Sequence, residues 1–167
     1  MNRKGNLPVL DAILKNKKVG SREIHDFKRI LVPVCGKQTD EGALALACGL
    51  AGSKSKKTII AVHVIPVERC LPLDAEIEAA LQTAESVITG AEQRIEKLGH
   101  MAMSDILQAR EIGPALIEAS IEHMADLILI SLNCKPAFGE FYLGNVVPHI
   151  LKHAPCRVIL NYESGGM

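Results

Sequence analysis

From Arg29 onward the chain alternates short apolar runs with longer amphipathic stretches. The first run, Ile30, Leu31, Val32 and Val34, carries no charge, as expected of a strand covered on both faces. Thr39 and Asp40 are N-cap candidates for a helix that runs through Ala43 to Ala51, and Gly52 supplies its stop. A second strand is expected over residues 58–64. Pro66 and Pro72 bracket a loop, after which Ile77, Leu81, Ala84, Ile88, Ala91, Ile95 and Leu98 recur at alternating spacings of four and three. That spacing draws one apolar stripe along a helix, ended by Gly99. Residues 104–110 form a weaker third strand, and Gly113 with Pro114 opens a helix whose first turn tolerates the missing N–H. Its inner face is expected to be Ile117, Ile121 and Met124. A fourth strand over 126–131, a last helix over 146–153 and a fifth strand over 157–161 complete the pattern. Strands alternating with helices imply right-handed crossovers, a parallel sheet covered on both faces and a doubly wound α/β sandwich. In such sheets ligands sit beyond the carboxyl ends of the strands, where the strand order reverses. The residues to watch are therefore Cys35 to Thr39 and Ser131 to Asn145.

Length and charge narrow the function classes. The 167 residues suit one domain, and 19 basic residues balance 19 acidic ones, so no bulk field draws the chain to nucleic acid or an anionic membrane. No apolar span approaches transmembrane length, and the basic start at Arg3 and Lys4 lacks the apolar core of a signal peptide. The five cysteines show no CxxC spacing, which favours reduced thiols and a cytoplasmic location. Residues 1–28 read as a polar leader, either flexible or a docking arm. Residues 29–162 read as the domain and 163–167 as a tail.

The run from Arg29 to Val34, Val62-His63-Val64, Ala125 to Ile130, and above all Gly144-Asn145-Val146-Val147-Pro148-His149-Ile150-Leu151-Lys152-His153-Ala154-Pro155-Cys156-Arg157-Val158 resemble the universal stress protein family. The resemblance covers about residues 29–162. It implies a five-stranded parallel sheet in the order 3-2-1-4-5, of Rossmann-like architecture, and a homodimer joined through the fifth strand at Val158, Ile159 and Leu160. It also implies an adenine-nucleotide crevice around Pro33, Cys35, Lys37, His63, Ser131, Cys134, Gly144, Asn145 and Val146.

Members that bind ATP or AMP carry an Asp after strand 1 and a Gly-x2-Gly-x9-Gly-Ser/Thr loop after strand 4. Here Cys35 stands at the Asp place, and the loop reads Ser131-x2-Cys134-x9-Gly144-Asn145. A Cβ at Ser131 and Cys134 obstructs the close backbone approach that phosphate needs, and Pro136 and Pro148 each delete an N–H. Glu140 adds negative charge, whereas Lys37 and Lys135 supply positive charge. These departures predict a non-enzymatic, dimeric stress-response protein with a weakened nucleotide site and no expected cofactor. ATP or AMP held by unusual contacts is the alternative, and an unknown protein partner is compatible with both.

Several constellations have two readings. Cys35 and Cys134 follow neighbouring strands, so they form either a thiol sensor or two small buried hydrophobes filling an empty crevice. Phe138, Phe141 and Tyr142 line a pocket or fold the loop onto its own core. His149 and His153 lie one turn apart without an HExxH pattern, which favours a solvated or capping role. No GxSxG elbow, GxxxxGK[ST] loop or GxGxxG turn is present.

Overall fold

A computed structural model describes residues 27–52, 57–73, 78–132 and 144–162. Its elements run β1 (Arg29–Pro33), α1 (Gln38–Ala51), β2 (Thr58–Pro66), α2 (Glu78–Lys97), β3 (Met101–Ala109), α3 (Ile112–Glu122), β4 (Leu127–Leu132), α4 (Val146–His153) and β5 (Arg157–Tyr162). All strand pairs are parallel, as the alternation of elements predicts, and the order is β3-β2-β1-β4-β5, as the family resemblance implies.

Each central strand feeds two cores, because successive side chains point to opposite faces. Ile30, Val32, Ile59, Ala61, Leu127 and Leu129 pack under α1 and α2. Leu31, Ile60, Val62, Ile128 and Ile130 pack under α3 and α4. The alanine-rich inner face of α1, Ala43, Ala47 and Ala51, lets that helix lie close to the sheet. Phe27 also belongs to the core, with the Arg157 guanidinium 5.9 Å from its ring centre. The packed fold therefore starts before the residue 29 boundary read from the sequence.

Three local expectations change. β3 begins at Met101, three residues early, since it pairs with β2 along its whole length from Thr58↔Met101 to Pro66↔Ala109. Backbone pairing extended it where side-chain pattern was weak. β4 begins after Asp126 because that carboxylate accepts the Lys28 and Arg29 amides at 2.7 and 3.1 Å and ties the foot of β1 to β4. The buried face of α3 is Ala115, Leu116, Ala119 and Ser120, whereas Ile121 and Met124 are 59% and 69% exposed. Small residues bring this helix against the sheet, and the larger apolar stripe misled the reading.

Met124 also closes α3 in the left-handed region, at φ 50°. The Ala125 amide donates to Ser120 O at 2.8 Å and the Met124 amide to Ile121 O at 3.0 Å, the two bonds of a Schellman turn. Its left-handed position is one that glycine fills without a Cβ penalty. Met124→Gly should therefore stabilise the fold by about 1 kcal/mol, a rise in Tm of roughly 3 °C. Calorimetry that found Tm unchanged or lower would contradict this account of the turn.

Candidate ligand crevice

β1 ends at Pro33, and the Val34 amide still reaches Val62 O at 2.9 Å before the chain leaves the sheet. Gly36, at φ 78°, turns it back toward α1, and a Cβ there would stand 2.8 Å from Val87 Cγ2. The turn exposes three consecutive amides, an arrangement that ordinarily cradles an anion. In this chain the anion is internal. Asp40 Oδ2 accepts the Cys35, Gly36 and Lys37 amides at 2.7, 2.8 and 3.1 Å. Asp40 is thus the third residue of α1, with Lys37 at the N-cap, and its buried carboxylate bonds back into the loop. The sequence placed Asp40 outside the helix as a cap and missed this role. The signal was available, since an acid three residues past the cap commonly bonds back to the cap amide.

Cys35 is exposed, which overturns the expectation that it is a buried space-filler. Its Sγ lies 3.7 Å from Asp40 Oδ1. Partial burial first, and the Asp40 carboxylate second, push the thiol above its ordinary range, against a smaller opposite pull from Lys37. Desolvation and a neighbouring negative charge both disfavour thiolate.

Ser131 leaves the end of β4 and donates its hydroxyl to Thr39 O at 2.8 Å, linking the strand to the first turn of α1. His63 turns its Nδ1 to Val34 O at 2.9 Å. A carbonyl only accepts, so this bond requires the proton on Nδ1. Pro33, Cys35, Lys37 and Ser131 therefore meet around one small crevice of about 160 Å³, floored by Val62, Val64, Leu116 and Ile130. Cys134, Lys135, Pro136, Glu140 and the aromatic positions Phe138, Phe141 and Tyr142 lie outside the described residues, as do residues 1–26 and the 163–167 tail.

Beside the crevice, sharing Ile112 with it, is a hollow of about 540 Å³ lined by Arg110, Glu111, Asn145, Val146 and His149. Gly144 leads into α4 at φ 61°, and Asn145 makes no side-chain cap to that helix. Pro148 falls in its first turn, so one of the amides that would face an anion is missing. Arg110 resembles a phosphate clamp but is already engaged. Its guanidinium donates to the carbonyls of Val67, Glu68 and Leu71 and so holds the loop that leads to α2.

His149 and His153 stack with ring centres 4.5 Å apart. Among the described residues no group of three His, Cys, Asp or Glu side chains is placed to hold a metal ion. None of the helices searched is long and apolar enough to cross a membrane.

Comparison with known proteins agrees with this architecture. A universal stress protein from Archaeoglobus fulgidus superposes with a TM-score of 0.66 at 21% identity, covering 80% of this chain and 97% of that one. The same organism's universal stress protein in complex with dAMP gives 0.63 at 20% identity, covering 80% and 96%. A universal stress protein family protein from Arabidopsis thaliana with AMP bound gives 0.61 at 13% identity, covering 83% and 93%. No curated protein matches the chain. The model of the universal stress protein family matches residues 26–160, most of the sequence, and the chain belongs to that family.

Proposed function

We propose that this protein is a non-enzymatic, homodimeric stress-response protein of the cytoplasm, whose adenine-nucleotide crevice is weakened and which acts through a protein partner. The occupied amide cradle carries the reading. Three donors that would face an anionic ligand are satisfied by Asp40 within the chain. A nucleotide phosphate would have to displace that carboxylate or sit beside it, at a cost in like-charge repulsion. The described walls enclose about 160 Å³, below the range of roughly 300–1,000 Å³ usual for small-molecule sites. The site also offers poor material for nucleophilic catalysis, since Cys35 is held as a thiol.

Protein purified from cells and then denatured should release far less than one adenine nucleotide per chain, read by absorbance and mass spectrometry. Recovery of equimolar ATP or AMP would overturn the proposal. Such recovery would favour the second reading, in which a nucleotide spans the crevice and the adjoining 540 Å³ hollow through non-standard contacts. Three structural neighbours, solved with dAMP, AMP and cAMP, give that reading its motive.

A thiol sensor is the third reading, and the geometry disfavours it. Cys35 should alkylate more slowly than a small free thiol at pH 7 despite its exposure, because its pKa is raised by burial and Asp40. Mass spectrometry of the iodoacetamide-treated protein checks this. Faster labelling than the free thiol would restore the sensor.

A further inference from the structure

On the sheet face opposite the crevice, α1 and α2 part around a hollow of about 490 Å³. Its floor is apolar, built from Val34, Leu44, Val87 and Ala91, and its rim carries Lys37, Arg94 and Lys97. This size and this division into apolar floor and polar rim are those of small-molecule sites.

Three features point to an anion. Arg94 Nε is shut from solvent and has no hydrogen-bond partner, and the guanidinium meets Glu41 at a long 3.9 Å. Among the described residues, Lys37 and Lys97 make no ion pair within 4.0 Å. The carboxylates at the rim are Asp40 and Glu41, and that of Asp40 is taken up by the loop amides. Three cations thus face two carboxylates, a net excess of one positive charge that favours an anion.

Gly90 also lines the hollow. It stands inside the 20-residue α2, where glycine is among the least favourable residues. Nothing lies within 4 Å of where its Cβ would be. Packing does not require the glycine, and a side chain at this position would project beside the hollow.

We infer that this hollow binds a small phosphate monoester, with the phosphate between Arg94, Lys97 and Lys37 and the organic group on the apolar floor. A monoester carries about −1.5 to −2 charges at neutral pH, and a guanidinium edge offers it two parallel donors. The hollow shares Val34, Lys37 and Asp40 with the crevice, but its α2 wall from Val87 to Lys97 belongs to it alone and does not depend on whether the crevice holds a nucleotide.

Amide-shift mapping on the full chain, titrated with phenyl phosphate and separately with inorganic phosphate, tests the inference. Phenyl phosphate should give saturable shifts from Val87 to Lys97 and around Lys37, and should bind more tightly than inorganic phosphate. Arg94→Gln with Lys97→Gln should weaken it by about tenfold or more. Gly90→Leu should abolish binding by filling the hollow while leaving Tm unchanged or higher, so lost binding will not reflect lost folding. The inference is overturned if shifts do not saturate, or if they appear at Ile130 and Ser131 and are absent from Val87 to Lys97. Binding that survives in Gly90→Leu, or equal affinity for inorganic phosphate, overturns it too.

Discussion

A proline on the outer side of β5 should split the proposed dimer into folded monomers. β5 is an edge strand whose central residues are only half-buried, whereas its neighbour β4 is buried over its first four. Val158 and Leu160 reach the α3/α4 core and Ile159 the α1/α2 core, so each face of the edge is apolar but incompletely covered. The other edge, β3, carries Ser104, Asp105 and Gln108, and polar and charged residues of this kind discourage strand addition. Two-fold antiparallel pairing of β5 would satisfy the outward backbone groups and bury Val158, Ile159 and Leu160 further.

Consecutive N–H groups of a strand point to opposite sides. Val158→Pro and Ile159→Pro therefore remove one donor toward β4 and one toward the free edge. The free-edge variant should be a monomer by light scattering with native circular dichroism; the other should chiefly lose stability, by about 3 kcal/mol. A monomeric native protein, or dimers from both variants, would move the interface away from β5.

Why part of the structure was legible and part was not follows from the kind of force involved. Ile30-Leu31-Val32 and Leu127-Ile128-Leu129-Ile130 announce buried strands because burial on both faces removes every polar residue. The apolar stripe of α2 announces a helix face for the same reason: Ala84, Ile88, Ala91 and Ile95 are buried, whereas Leu81 and Leu98 toward its ends are exposed. α3 escaped because its contact face is mostly small: Ala115, Ala119 and Ser120 are buried alongside Leu116, while Ile121 points to solvent. Residue size was a poor guide to burial there.

In the crevice, the absence of an acid at Cys35 was plain, but the carboxylate five positions on at Asp40 acquired its meaning from the turn at Gly36. Arg110 and Asp126 escaped for a related reason, since their partners are backbone groups distant in sequence. Such partners leave no pattern along the chain.

The same geometry alters how the crevice would be repaired. Cys35→Asp alone would set a second carboxylate beside Asp40, where Sγ now lies 3.7 Å from Oδ1. Like charges so close oppose ionisation of both. Cys35→Asp must therefore be joined to Asp40→Asn, which keeps one oxygen for the loop amides, and to Gly at Ser131 and Cys134. Losing the Ser131 bond to Thr39 O costs about 1 kcal/mol. Nucleotide affinity of this quadruple variant should exceed that of the native chain by about tenfold or more. Cys35→Asp by itself should gain little.

Calorimetric titration of the native protein with ATP and with AMP tests directly whether the crevice holds a nucleotide. With the loop amides held by Asp40 and the described crevice reduced to about 160 Å³, the account predicts weak or undetectable binding for both. A dissociation constant of about 1 μM for either nucleotide, equivalent to about −8 kcal/mol, would contradict it.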